Sequence, residues 1–274
     1  MPENKELEFQ EKYDAKHSLK YFRKHQRGLR RRLTTWAERR MLRKALAMMG
    51  DPGSVLDIPC GAGRFWTVLA ERPDRRILAA DYSADMIETA RRFQPPELVA
   101  RVETFQASAF DIKLPDAAVE AIVCIRLIHH IGQTEDRRRM LAEFHRVAAH
   151  TVCLSCWVDG NLQARRRKRL EARRPKRKYQ NRFVFERDTI ERELRAAGFD
   201  ILGHIDLLPG ISMWRMYVLR KRAAWVPCSM WSRPTATGWT LPDCAASTIC
   251  GRCPGTGWKN PISGAGAGAV RPAS

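Results

Sequence analysis

The spacing of apolar residues switches between two periods along the chain, and each switch predicts an element. From Thr34 to Met49, the residues Trp36, Met41, Leu42, Ala45, Leu46 and Met49 recur at helical spacing. They predict a helix closing at Gly50, with those side chains as its packing stripe. Short apolar runs rich in β-branched residues follow, bounded by Gly, Pro or charge. They predict strands at about Val55–Ile58, Arg76–Ala80, Val102–Gln106, Ala121–Ile125 and Thr151–Val158. Helical periods lie between them: roughly Arg64–Glu71, Ser83–Phe93 with Ser83 as N-cap, and Thr134–Ala148 with Met140, Leu141, Phe144 and Val147 on one face. A helix at Asp188–Ala197, closed by Gly198, precedes two last strands, about Ile201–Leu208 and Ser212–Leu219, which meet at Pro209-Gly210. Strands alternating with helices predict an α/β fold around a mostly parallel sheet, with helices on both faces.

The first strand carries the densest chemistry. Ser54-Val55-Leu56-Asp57-Ile58-Pro59-Cys60-Gly61-Ala62-Gly63-Arg64-Phe65 reads as a buried strand breaking into a glycine turn and then a helix. Gly61 and Gly63 allow a ligand close to the backbone, and a helix start would offer its free N–H groups to an anionic part of it. A dinucleotide fingerprint needs a small residue where this chain has Trp66, and there is no phosphate-loop G-x-x-x-x-G-K-[ST]. Asp81, at the end of the second strand, is placed to accept hydrogen bonds from ribose hydroxyls.

Four segments, VLDIPCGAGRF (55–65), ILAADYSADMIETAR (77–91), TFQASAFDIKLP (104–115) and VEAIVCIRLIHHI (119–131), resemble in order and spacing the class I S-adenosylmethionine-dependent methyltransferases. The resemblance covers about residues 33–221 and is nearest to the branch containing ubiquinone-biosynthesis methyltransferases. It implies a Rossmann-like seven-stranded sheet whose last strand is reversed, matching the predicted terminal hairpin. It implies S-adenosyl-L-methionine as cofactor, held by Asp57, Cys60, Gly61, Ala62, Gly63 and, at the end of the fourth strand, Ile125. Asp81 would hold the ribose, with Tyr82 and Met86 near the adenine; Met86 reads equally as a core residue. Where an acidic residue often meets the adenine amino group, this chain has Ser108, followed by Ala109 and Phe110. Pro59 is a second departure. His129 and His130 fall beside the transferred methyl; either is a candidate general base, or both merely shape the turn after the fourth strand. No Asn-Pro-Pro-Tyr-like motif supports methylation of an exocyclic base amine.

Charge adds a further feature. The chain of 274 residues carries a formal net charge of +19. Residues 1–50 hold 14 Lys and Arg against 6 Asp and Glu, and residues 161–187 hold 12 against 2. The domains expected are a basic N-terminal segment (1–32), a methyltransferase domain (33–222) with a basic insertion (161–187), and a low-structure tail (223–274). The basic stretches are either solvated faces or docking surfaces for RNA, an anionic membrane or an anionic acceptor. Three functions are compatible with this: methyl transfer to a small-molecule or lipid-linked acceptor, methylation of RNA, or a non-enzymatic S-adenosylmethionine-binding module. No apolar run is long enough for a membrane helix and the N-terminus is polar, so the expected location is cytoplasmic, with peripheral attachment to the inner face of a membrane through the basic faces as an alternative.

The eight cysteines do not read as a disulfide framework. Cys60, Cys124, Cys153 and Cys156 fall in or beside buried strands, and Cys153 and Cys156 should face opposite sides of theirs. In the tail, Cys228, Cys244, Cys250 and Cys253 supply only one C-x-x-C pair, so no zinc site is expected. Residues 224–274 contain only five charged residues, with six Pro and seven Gly. That is the composition expected of an extension read out of frame, with no periodicity to support a core.

Overall fold

The structure, a computed structural model, describes residues 29–173 and 182–222. The segments expected before residue 29 and after residue 222, including the four tail cysteines, lie outside the described residues, as does 174–181 of the basic insertion.

Helix α1 (Leu29–Met48) precedes strand β1 (Ser54–Asp57); then come α2 (Trp66–Leu69), β2 (Arg76–Asp81), α3 (Ala84–Phe93), α4 (Pro96–Val99) and β3 (Val102–Gln106). Strand β4 (Val119–Cys124) leads through a 3-10 turn (Ile128–His130) to α5 (Thr134–Val147) and β5 (Ala148–Trp157). Helices α6 (Leu162–Ala172) and α7 (Arg187–Ala196) and strands β6 (Phe199–Asp206) and β7 (Trp214–Lys221) complete the described fold. The seven strands form one sheet in the order β3-β2-β1-β4-β5-β7-β6. Strands β3, β2, β1, β4 and β5 pair in parallel, and β7 runs antiparallel to both β5 and β6. This is the expected Rossmann-like sheet with its last strand reversed. Reversing β7 lets a seven-residue turn join it to β6, where a parallel pair would need a crossover.

Alternation along the strands divides the core into two layers. Val55, Ile77, Val123 and Cys153 pack under α1 and α3, while Leu56, Leu78, Ile122 and Cys156 pack against α5 and α7. Cys153 and Cys156 thus face opposite layers, as the strand period requires. Burial pushes both thiols well up, Cys153 to about 12. In α1, Met41, Leu42, Ala45, Leu46 and Met49 are buried, but Trp36 is 58% exposed and does not join the packing stripe. It lines a surface depression beside the end of β6 instead, a distinction that helical spacing cannot make.

The helix expected at Arg64–Glu71 is only the single turn Trp66–Leu69. The backbone between Cys60 and Phe65 instead closes as turns, with Gly63 N–H donating to Cys60 O at 3.1 Å and Trp66 N–H to Gly63 O at 3.3 Å. Both glycines hold positive φ, +54° at Gly61 and +71° at Gly63, which delays the helical register. A helix this short adds little dipole, so anion recognition here must come from individual N–H groups.

Candidate functional site

The carboxyl ends of β1, β2 and β4 border a pocket of about 890 Å³ including its mouth. Its position follows the rule for open α/β sheets, in which ligands lie beyond the strand ends. The glycine turn forms one wall. Gln94 Nε2 fixes it by donating to Ala62 O at 2.7 Å, and Cys60 N–H donates to Ala80 O at 2.8 Å. A Cβ on Gly61 would face the open pocket, its nearest neighbour being Met86 Cε at 3.9 Å. A Cβ on Gly63 would sit 2.8 Å from the Trp66 ring. Gly61 therefore borders ligand space, whereas Gly63 is required by packing and does not line the pocket.

Asp81 ends β2 and turns its carboxylate toward the glycine turn. Its Oδ2 accepts from Gly61 N–H at 2.8 Å and its Oδ1 from Ser83 N–H at 2.9 Å. Burial pushes its carboxyl up to about 6, against the pull of those N–H donors. Ser83 caps α3, accepting from Met86 N–H at 3.3 Å. Beneath the turn, Asp57 is fully buried, and neither of its carboxylate oxygens reaches a hydrogen-bond partner. Burial first and the nearby Asp81 charge second hold its carboxyl well above the usual range.

Of the residues expected to touch the cofactor, Cys60, Gly61, Ala62, Asp81, Tyr82 and Met86 line this pocket, as do Ala109 and Ile125. Asp57, Gly63, Ser108 and Phe110 do not. Ser108 spends its hydroxyl on its own turn, accepting from Phe110 N–H at 3.2 Å, and leaves Ala107 and Ala109 facing the cavity. Phe110 packs against the core beneath Arg139. The two histidines separate as well. His130 lines the pocket; His129 is buried, stacked on Trp157 at 4.5 Å with Trp214 edge-on at 5.2 Å. Burial, then the His130 charge and nearby arginines, holds the His129 imidazole well below its ordinary range, so it is neutral at pH 7.

Several pocket residues had no motif to reveal them. Arg126 follows β4 with a left-handed backbone, φ +71°, a conformation that costs a non-glycine residue about 1–3 kcal/mol. It is held from three sides. Its N–H donates to Ser155 Oγ at 2.8 Å, its Nη2 donates to Glu38 Oε1 at 2.6 Å, and its guanidinium lies 4.7 Å over Trp214. Glu38, 1% exposed on α1, also pairs with Arg64 of the glycine turn. One carboxylate from α1 thus joins two arginines that line the pocket. The turn carrying His130 is fixed from behind: Arg137 Nη1 donates to Ile131 O and Gly132 O, and Glu193 pairs with Arg137 at 2.6 Å. Only the left-handed φ of Arg126 is beyond sequence reasoning in principle; Glu38, Arg64 and Arg126 are charged residues near motifs whose pairing is long-range.

The pocket suits S-adenosylmethionine. Asp81 offers a carboxylate to a vicinal diol, Gly61 leaves room for backbone approach, and an apolar slot of Met86, Ala107, Ala109 and Ile125 suits a purine.

Comparison with known proteins agrees. A family described as a methyltransferase domain matches residues 55–151. A probable S-adenosylmethionine-dependent methyltransferase of Mycobacterium tuberculosis is 32% identical over 93 residues, 34% of this chain and 31% of that protein. A probable tRNA methyltransferase 9B of Mus musculus is 31% identical over 117 residues, 42% of this chain and 24% of that protein. The chain therefore spans less than a third of these relatives' length. Among solved structures, magnesium protoporphyrin IX methyltransferase from Synechocystis with bound S-adenosylhomocysteine superposes with a TM-score of 0.62 at 16% identity, covering 75% of this chain and 94% of that one. Residues 55–151 match a methyltransferase domain family, and the fold around them is the one seen in the solved methyltransferase.

Proposed function

We propose that the protein transfers the methyl group of S-adenosylmethionine to an anionic acceptor that is a small molecule or is linked to a lipid. The observation that carries this reading is one pocket lined by Asp81, Gly61, Arg126 and His130 together. When bound, the cofactor supplies an electrophilic sulfonium methyl and leaves as a neutral thioether. Asp81, which accepts from Gly61 N–H in the free pocket, would hold the ribose hydroxyls. Ala107 and Ala109, which line the pocket where Ser108 does not, would face the adenine. Arg126 brings a cation to the pocket beside His130, which favours an acceptor carrying a carboxylate or phosphate. His130 takes the proton that the acceptor's O or N loses as its bond to the methyl carbon forms. His129, neutral and stacked on Trp157, braces the turn and takes no part in proton transfer.

The test is transfer of labelled methyl into fractionated cell extract, with Asp81→Ala as the control. Label in the lipid or small-metabolite fraction supports the reading. His130→Ala is expected to lower kcat about a hundredfold with S-adenosylmethionine affinity unchanged; full turnover across neutral pH removes His130 as the base. A second reading, RNA methylation, draws on the exposed Arg165, Arg166, Lys168 and Arg169 of α6 and on the mouse relative's name. Label in RNA, falling steeply with salt, would favour it. Cofactor binding without any label would favour a binding module.

A further inference from the structure

Six large apolar side chains stand exposed on one stretch of the surface: Leu33 and Trp36 on α1, Leu208 and Ile211 in the β6–β7 turn, and Leu162 and Leu170 on α6. They are between 45% and 62% exposed. Three adjoining depressions connect them. The first, between α1 and the end of β6, shares Thr34, Leu207 and Leu208 with the second, which shares Gln163 and Arg166 with the third, along α6. On α6, Leu162, Arg166 and Leu170 recur every four residues, so two leucines flanking an arginine share the face turned to the groove.

Among the described residues around the groove, the exposed charges without an ion pair are of one sign. Arg32, Arg40 and Lys44 on α1 and Arg165, Arg166 and Arg169 on α6 are exposed. The nearby acids are each engaged by a cation: Asp206 by Arg215, Glu171 by Arg167, and Asp159 by Lys168. A soluble surface rarely leaves so many leucines and a tryptophan together without a partner. A second copy of the same face would bring cation against cation. A nucleic acid would use the arginines but leave the leucines in water. Apolar side chains that penetrate a few ångströms, ringed by cations, match the interface of a bilayer with anionic headgroups.

We propose that this face, built from α1, the β6–β7 turn and α6, docks the protein on an anionic phospholipid surface. No helix among the described residues is long and apolar enough to cross a membrane, so the attachment is peripheral. The groove also leads to the pocket: Trp214 lines the groove and lies beneath Arg126, which lines the pocket. A lipid-linked acceptor could lay its chain along the groove and bring its polar end to Arg126 and His130. That last step rests on the proposed methyl transfer; docking itself does not.

The test is co-sedimentation of the full chain with vesicles of phosphatidylcholine containing phosphatidylglycerol, against phosphatidylcholine alone, at physiological salt. At least tenfold stronger binding to the anionic vesicles is expected, since each cation near such a surface contributes about fivefold. Leu208→Glu with Ile211→Glu, and separately Arg165→Glu with Arg166→Glu, should each weaken it about tenfold or more. An unchanged rise in Tm on adding S-adenosylmethionine certifies each variant as folded without any turnover. No binding to anionic vesicles overturns the proposal. So does vesicle binding that the arginine variant loses and the Leu208/Ile211 variant keeps, which would mark a purely ionic surface of the kind RNA uses. Because vesicle binding is read without methyl transfer, either reading can fail while the other stands.

Discussion

On the side proposed for the cofactor, Cys60 to Ala62 and Asp81 come from two consecutive strand ends, and backbone N–H groups make most of the contacts. On the side proposed for the acceptor, Glu38, Arg126, His130, Trp157 and Trp214 come from four separate stretches of chain and meet through side chains. The first is a local arrangement that glycine turns dictate almost alone. The second exists only when α1, β5 and β7 are all docked. The cofactor side should therefore tolerate changes far away, while the acceptor side should fail as a unit.

The sharpest way to break that contrast is at Glu38. Glu38→Gln removes the carboxylate charge that pairs with both Arg64 and Arg126 in a buried setting, and should cost about 3 kcal/mol of stability by denaturant unfolding. A loss under about 1 kcal/mol would mean that the two arginines find other partners and that the acceptor side is less of a unit than described. Next, Asp81→Ala should weaken S-adenosylmethionine binding by about 1–3 kcal/mol in calorimetry, leaving acceptor-side residues in place. Unchanged affinity would remove Asp81 as the ribose ligand.

A pH series sharpens the same residue. The Asp81 carboxyl sits near 6 in the fold because burial raises it. Hydroxyl donors bind its ionised form, so cofactor affinity should fall through pH 6, by about tenfold one unit below. For the cofactor-free fold the sign is reversed: a raised carboxyl contributes stability that is fully present below its unfolded value of about 4 and is lost as pH rises through 6. Asp81→Asn should then raise the Tm of the free protein at pH 7 to 8 while abolishing the Tm rise on adding cofactor. Smallest of all, Ser108→Ala should change affinity less than twofold and stability by under about 1 kcal/mol, because its hydroxyl only closes a turn.

The fold was legible because periodicity is local. Alternation in Val55–Asp57 and Ile77–Ala80 predicts both faces of a strand, and helices α3 and α5 start within one residue of their expected positions. The misplaced piece, α2, depends on two positive φ values that no hydrophobic pattern reports. At the site, eight of the expected cofactor residues line the pocket because a strand end and a glycine turn leave them nowhere else to go. Ser108 misled because its position relative to β3 was right but its hydroxyl had a nearer donor. The arginines were invisible for a different reason. Glu38 and Arg126 are 88 residues apart, and nothing in either neighbourhood announces the other.

Glu38 holds one guanidinium from the glycine turn and one from the strand end beyond β4. A single carboxylate shared this way works like the beam of a balance. A ligand that draws Arg64 toward itself lightens one pan, and Arg126 then gains a larger share of Glu38.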